Sequence, residues 1–525
     1  MAGCSSSDEN ITNSVVDANI ERENNNNIGD SYTTTSINTS SNKPVSFVVV
    51  STAEIAKRKI IPGLLSDPSA ILVAVSSRSK ERARAFVYKH CQCYCDGRSS
   101  SSKPGDYDDD TVTGRCTTNS PMCRAMTHDE IFSLSDSGGE SNTNTNTNTN
   151  AVTDTTTTTT TTKPINIVDV DAFYVPLPSR VRNEYLTKAL EHGKHVYSEK
   201  PHGGTVNELK AVLDLAASKN LQWMDGTMWY HSNRTKVMEE LLFGNNATSN
   251  SNEKSRSHSL GKVRRVSASF TWGGGGLVDQ RWKEGGNVRT DPARMPMGML
   301  GDSGHYPVSV VAWAFGWELP TKVRAIHTKC NTLGAIVEIE AVLWFRDGGR
   351  AVIDSGCELP HRSQFEVVCE KGVLKVDDLV GGQGRTGNFA AYEHPFVGSS
   401  SFVVGDHLGK DTIIQVEPCD QLRSLLNEFI RSVQRIRDGG HRANPEWSKR
   451  SLCTHTILCA IFESAMRGGV DVELDLLPMT TDEKEGSGGD HDCWIAGPVR
   501  RKYVIEGETF EDIPTRHWNK QNTEP

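Results

Sequence analysis

Nowhere in this 525-residue chain is there an unbroken apolar run of the ~18 residues that a membrane-spanning helix needs. A cationic surface is missing as well: 66 acidic residues against 57 Lys and Arg give a formal net charge of −9. That balance excludes a sequence-independent nucleic-acid binder, which must neutralise phosphates with a basic face. The N-terminus lacks the apolar core of a secretory signal. It carries Asp8, Glu9, Asp17, Glu21, Glu23 and Asp30, too acidic for a mitochondrial transit peptide, so a cytoplasmic protein is expected. Paired cysteine spacing is also absent. Thirteen cysteines in so long a chain do not make a disulfide scaffold, and an odd number fits reduced thiols. His90, Cys91, Cys93, Cys95, Cys116 and Cys123 form C-x-C-x-C and a scattered remainder, without the C-x-x-C pairs of structural zinc sites. They read as an incidental insert, and no metal is expected.

Apolar content is thin in whole tracts. Residues 1–44 are rich in Ser, Thr and Asn, and 139–163 run through an Asn-Thr alternation into a Thr repeat. Neither can bury enough apolar surface to offset the entropy of ordering, so both read as disordered. Residues 475–525 are polar, with Trp494, Tyr503, Phe510 and Trp518 as scattered anchors.

From Val45 the composition changes. Residues 45–50 are a continuous, largely β-branched run, the signature of a strand buried on both faces. A helix carrying Ile60, Ile61 and Leu64, a second buried strand at 71–75 and a helix at 81–90 follow. This βαβα start with short connections predicts a parallel, doubly wound sheet. After insertions at 91–125 and 139–163, separated by a short capped helix at 127–132, the sheet resumes at 170–175. Further strands are expected at 194–197 and 221–224, with helices between them. From 263 the strands lengthen: 263–272, 338–345, 351–357 and 364–376. Amphipathic helices at 421–437 and 448–467 close an α+β domain with a largely antiparallel open sheet. The expected organisation is a polar extension at 1–44, a nucleotide-binding domain at 45–230, an α+β domain at 231–474 and a tail at 475–525.

The turn after the first strand is where a dinucleotide pyrophosphate sits over a helix N-terminus. Here G-x-G-x-x-G is replaced by Ser51-x-Ala53-x-x-Ala56, which leaves close approach open but is a poor fingerprint alone. At the end of the second strand, Ser77-Arg78-Ser79 offers a cation and hydroxyls. Those suit the 2′-phosphate of NADP, against the plain alternative of a solvated loop arginine. In Tyr197-Ser198-Glu199-Lys200-Pro201, a strand end holds a lysine that Pro201 restricts to extended geometry. Such a lysine either holds an ammonium over a cleft or is an ordinary surface residue. Asp302 and Tyr306 stand four apart at an expected helix start, so both should project from one face, the carboxylate favoured by the helix dipole. A nearby ammonium, Lys200, is expected to bring the phenol's pKa down from about 10. The alternatives are a core tyrosine and a helix cap. His305 is expected to point elsewhere on the helix.

Taken together, these blocks resemble the glucose–fructose oxidoreductase/inositol dehydrogenase (Gfo/Idh/MocA) family over 45–90, 126–138 and 165–473. The carrying motifs are Ala53-Glu54-Ile55-Ala56, Ser77-Arg78-Ser79, Tyr174-Val175-Pro176-Leu177-Pro178 and Gly193-Lys194-His195-Val196. They continue with Glu199-Lys200-Pro201, Met224-Asp225-Gly226-Thr227-Met228-Trp229 and Leu300-Gly301-Asp302-x-Gly304-x-Tyr306. The eukaryotic branch of dimeric dihydrodiol dehydrogenases and NADP-dependent D-xylose dehydrogenases is the most similar. The resemblance implies a Rossmann domain, then a domain whose open sheet commonly forms a homodimer interface. It implies hydride transfer between NADP and a sugar, trans-dihydrodiol or other polyol or carbonyl substrate. Cofactor contacts would fall on Ser51, Thr52, Ala53, Ile55, Ser77, Arg78, Ser79, Pro176, Leu177, Pro178, Glu199, Lys200 and Trp229. Lys200 would lie against nicotinamide and substrate, Tyr306 would be the acid/base with Asp302 as partner, and Arg289 would line the pocket. Three features depart from the pattern: Ser51 stands for a glycine, Arg182 for a histidine, and the 273–276 glycine run and the inserted loops are extra. Ser51 and the insertions favour an inactive NADP-binding regulatory or interaction protein; Lys200, Asp302 and Tyr306 favour an enzyme.

Overall fold

The computed structural model describes residues 43–91, 123–132, 169–244, 260–380, 401–474, 503–505 and 508–510. The expectations for 1–42, for 139–163 and for Cys93, Cys95 and Cys116 lie outside the described residues. Six parallel strands make the first sheet: β1 (Val45–Val49), β2 (Ala70–Ser77), β3 (Arg124–Thr127), β4 (Ala172–Val175), β5 (His195–Ser198) and β6 (Trp223–Asp225). Their order is β3-β2-β1-β4-β5-β6, so the winding reverses between β1 and β4. In open α/β sheets that reversal opens a crevice beyond the strands' carboxyl ends. All five residues of β1 are buried, the polar Ser46 through hydrogen bonds to Asp169 and Asp171.

Between the strands run a π-turn at Ala56–Ile60 leading into α1 (Ile61–Ser66), α2 (Lys80–His90), α3 (His128–Phe132), α4 (Ser179–Glu191) and α5 (Val206–Ser218). On one face Leu186 and Leu190 of α4, with Leu209 and Leu213 of α5, pack on Phe173, Val196 and Trp223. The start of α5 is set by a capping box, in which the Thr205 hydroxyl accepts from the Glu208 amide and the Glu208 carboxylate accepts from the Thr205 amide. After β6 comes α6 (Asn233–Phe243).

The second sheet has nine strands: β7 (Val263–Thr271), β8 (Lys322–Cys330), β9 (Ile336–Trp344), β10 (Arg350–Gly356), β11 (Arg362–Cys369), β12 (Gly372–Val376), β13 (Ser401–Asp406), β14 (Asp411–Gln415) and β15 (Val472–Glu473). They run in the order β14-β13-β12-β11-β7-β10-β9-β8-β15, antiparallel except for the β7–β10 pair. Four further helices of this half precede its final long helix: the short α7 (Gln280–Lys283) and α8 (Gly298–Asp302), then α9 (His305–Ala314) and α10 (Gln421–Gly439). A last long helix, α11 (Glu446–Met466), contacts β8. Helix α9, buried along its whole length, lies on β7. Helix α10 reaches the other half: Phe429 packs on Phe47 of β1 and Tyr197 of β5, with ring centroids 5.9 and 5.8 Å apart. One apolar core therefore runs from the parallel sheet into the second one.

Four details differ from the sequence expectation. The strand expected at 364–376 is a hairpin, β11 and β12, turning at Glu370 and Lys371. Strand β8 was not anticipated because Arg324, His327 and Lys329 on its exposed face obscure the alternation. The hairpin β13–β14 was not anticipated either; its strands are short and only partly buried. The 91–125 insertion is also shorter by two residues, since Arg124 and Ala125 pair with β2.

Because Phe429 is fully buried against strands of the other half, Phe429→Ala should cost about 3–5 kcal/mol in denaturant unfolding. A loss below ~1 kcal/mol would show that α10 docks loosely on the parallel sheet.

Candidate active site

At the exit of β5 the chain is held from several sides. The Glu199 carboxylate accepts from the Tyr174 hydroxyl at 2.8 Å. A Cβ on Gly226 would lie 2.8 Å from that carboxylate, so the loop after β6 can approach Glu199 only with glycine there. Burial raises the pKa of Glu199, against the pull of Tyr174, Lys200 and Arg182. The Lys200–Pro201 peptide is cis. A Cβ on Gly301 would meet the Pro201 ring at 3.2 Å, so α8 rests directly on that proline.

Lys200 then points at α8 and α9. Its Nζ donates to the Asp302 backbone carbonyl at 2.8 Å and to Asp302 Oδ1 at 3.1 Å. The same ammonium lies 4.6 Å from the centroid of the Tyr306 ring. Asp302 Oδ2 accepts from Arg289 Nε at 2.7 Å, so one carboxylate bridges two cations. The Lys200 and Asp302 side chains are 12% and 18% exposed, which leaves water little room to screen the pair. Burial works against the Lys200 charge, but Asp302 and Tyr306 raise its pKa above the ordinary lysine value. Burial also works against the Asp302 charge, but Arg289 and Lys200 hold its carboxyl far below the usual carboxylate range.

Lys200, Asp302, Tyr306 and Arg289 are thus brought together, but not as the spacing implied. Asp302 ends α8 and Tyr306 opens α9, with the chain breaking at Ser303 and Gly304. The carboxylate therefore lies at a helix end where the dipole does not favour it, and the two cations stabilise it instead. The expectation that Lys200 brings the Tyr306 phenol down is also corrected. Burial pushes the phenol up, and the opposing effect of Lys200 is smaller. The ammonium sits over the ring face, beside a phenol that stays protonated at neutral pH.

The proposed cofactor contacts divide. Ser51, Thr52, Ala53 and Ile55 lie in the turn after β1, and Pro176, Leu177 and Pro178 lie in the turn after β4, on the two sides of the winding reversal. Among the described residues the amides of Ser51, Thr52 and Ala53 donate to no backbone acceptor, and the following helix has no side-chain cap. Small residues, open amides and an uncapped helix start fit a diphosphate. At the end of β2, Ser77 is buried and Arg78 is exposed. Ser79 is engaged elsewhere, accepting from the Arg82 amide and donating to Glu81. Trp229 is turned into the core. Its indole donates to Ser309 at 2.9 Å and packs among Tyr230, Trp313 and Phe365, away from the crevice.

Two groups behind the lysine, His305 and Asp225, were given no partners from sequence. His305 is fully buried and bonds the Thr227 hydroxyl at 2.7 Å. Asp225 accepts from the Thr227 amide and from Ser451, and sits 3.2 Å from His202. Nothing local in the sequence marks this network, since its members come from four separate segments. Burial drives the His305 pKa down to about 3, so the folded state holds that ring neutral while the unfolded chain protonates it near 6.5. Between these values the unfolded state binds more protons, so stability from this group is full above pH ~6.5 and falls as pH drops towards 3. Urea unfolding from pH 7.5 to 4.5 should show that decline, and His305→Gln should make it shallower, the share of the buried His195 and His231 remaining. An unchanged slope in the variant would mean that His305 is already charged in the folded protein.

Residues 45–227 match the oxidoreductase family with an NAD-binding Rossmann fold, and 252–375 match the GFO/IDH/MocA C-terminal domain. The chain is 25% identical over 307 residues to D-xylose 1-dehydrogenase (NADP(+)) 2 of Haloferax volcanii, covering 58% of this chain and 81% of that one. It is 27% identical over 209 residues to dTDP-3,4-didehydro-2,6-dideoxy-alpha-D-glucose 3-reductase of Streptomyces antibioticus, covering 40% of this chain and 57% of that protein. In structure it is similar to a 3-ketoreductase from Actinomadura kijaniata in complex with NADP and TDP-benzene, with a TM-score of 0.53, 19% identity, and coverage of 80% and 98% of the two chains. It is also similar to aldose-aldose oxidoreductase from Caulobacter crescentus complexed with glycerol, with a TM-score of 0.55, 16% identity, and coverage of 82% and 100%. These solved structures speak for the fold: a parallel nucleotide-binding sheet followed by a mixed, largely antiparallel one. With both halves matched, this chain belongs to the Gfo/Idh/MocA family of NAD(P)-binding oxidoreductases.

Proposed function

We propose that the chain is an NADP-dependent dehydrogenase/reductase acting on a CH–OH or carbonyl group of a sugar, trans-dihydrodiol or other polyol. The observation that carries this reading is the Lys200 ammonium, held by Asp302 over the Tyr306 ring where β5 meets the crevice. The NADP-linked xylose dehydrogenase among its relatives supports the substrate class and the cofactor. Arg78 supports NADP over NAD, because an exposed guanidinium suits a phosphate better than a ribose hydroxyl. When bound, NADP supplies or accepts the hydride.

The chain's own residues handle the proton. Tyr306 keeps its phenolic proton at neutral pH and can donate it to a carbonyl oxygen that becomes an alkoxide. That donation leaves a phenolate, which the fixed Lys200 charge stabilises, and in the reverse direction it is this phenolate that takes the alcohol proton. Asp302 keeps Lys200 cationic and in place, and Arg289 keeps Asp302 ionised. Homodimerisation belongs to the same proposal. The outward face of the second sheet, with Ile326 half-exposed on β8, supports it.

NADPH fluorescence should report binding at tens of micromolar or tighter, and no binding in that range ends this reading. Arg78→Ala should weaken NADPH by about tenfold and leave NADH nearly unchanged. With a substrate found from a panel of sugars and diols, Lys200→Ala and Tyr306→Phe should each lower kcat by about 100- to 10,000-fold. Full turnover in both variants would remove the assigned roles and favour a protein that binds NADP without reacting it.

A further inference from the structure

In the first turn of α4 the Arg182 side chain runs inward and is 3% exposed. Its Nε donates to the Leu177 carbonyl at 2.8 Å, and its Nη2 donates to the same oxygen. Its Nη1 donates to the carbonyls of Glu199 and Pro201. The guanidinium therefore ties the turn after β4 to the turn after β5, gripping the backbone on both sides of Lys200. These three acceptors are neutral, and the nearby Glu199 carboxylate is already bound by Tyr174.

A buried cation is costly, so an apolar side chain would be the cheaper filler for this place. What guanidinium adds is a rigid planar fork with five donors, able to hold several carbonyls in fixed relative positions. A lysine has three donors on a flexible stem and cannot reproduce that fork. With its donors taken up by backbone and its side chain buried, Arg182 does not face the crevice and is no anion site. The other side of the same turn is closed by α8, which rests on the Pro201 ring at Gly301. Lys200 is thus gripped through its backbone by Arg182 and through its side chain by Asp302.

We propose that Arg182 is a positioning residue: it fixes the Glu199-Lys200-Pro201 turn so that the ammonium stays over Tyr306, and turnover depends on it although it touches no substrate. This deepens the hydride-transfer reading and rests on it for the part Lys200 plays in turnover. The placement itself is testable without any substrate. Lys200 should react slowly with an amine-labelling reagent in the wild-type protein, read by peptide mass spectrometry against exposed lysines such as Lys219 and Lys262. In Arg182→Ala, shown to be folded by circular dichroism, Lys200 labelling should rise about fivefold or more while the reference lysines stay constant. Arg182→Lys, which keeps the buried charge and guards against misfolding, should fall between wild type and Arg182→Ala. In turnover, Arg182→Ala should lower kcat by about 10- to 100-fold with KM for NADPH near wild type, and added guanidinium should restore part of it. Equal Lys200 labelling in wild type and folded variants overturns the proposal. So does a loss of turnover that is wholly a rise in KM for NADPH. Raised labelling with undiminished kcat also overturns it, since turnover would then not depend on Arg182, while loss of the Lys200 role is read separately from Lys200→Ala.

Discussion

A buried ammonium is the constraint around which this molecule is arranged. Lys200 carries its charge in a place where water can do little for it, so the surrounding chain must do so. Asp302 supplies both a carboxylate and a backbone carbonyl, and Tyr306 supplies the negative face of its ring. Asp302 would in turn be overcharged on one side, and Arg289 balances it. Each partner comes from the second half of the chain, while the lysine comes from the first. The electrostatics of one side chain therefore joins the two sheets at the crevice, as Phe429 of α10 joins them through the apolar core.

The fold explains why the lysine sits there. A parallel sheet whose winding reverses between β1 and β4 leaves its carboxyl ends facing an open crevice, and β5 ends beside it. Glycines at 226 and 301 let the Glu199 carboxylate and the Pro201 ring be approached closely by the next strand's loop and by α8. Short motifs that look separate along the chain, Glu-Lys-Pro, Asp-Gly-Thr and Leu-Gly-Asp, are thus parts of one contact.

Much of this was legible from residues alone, and the limits were physical. Alternation and apolar runs placed five of the six parallel strands, which are largely buried, and missed the half-buried β3 at the sheet edge. They failed for β8, whose outer face carries Arg324, His327 and Lys329, and for β13–β14, which are short and only partly buried. Lys200, Asp302, Tyr306 and Arg289 were identifiable as residue types with suitable chemistry. That Asp302 and Tyr306 stand on two helices was not, because the break at Ser303 and Gly304 depends on how α8 lies against Pro201. The phenol's high pKa was misjudged because an ammonium was counted and burial was not. Arg182 looked like a departure from the family pattern. Its partners are backbone carbonyls, which no side-chain motif can reveal.

The central claim is that the Lys200–Tyr306 pair is where hydride and proton are exchanged. A crystal structure with NADP bound tests it most directly. The account predicts the nicotinamide ring beside Lys200, with the Lys200 amine and the Tyr306 hydroxyl both within ~3–4 Å of one site for a substrate oxygen. A nicotinamide ring placed elsewhere, or a Tyr306 hydroxyl turned away from it with Lys200 still locked on Asp302, would contradict the claim.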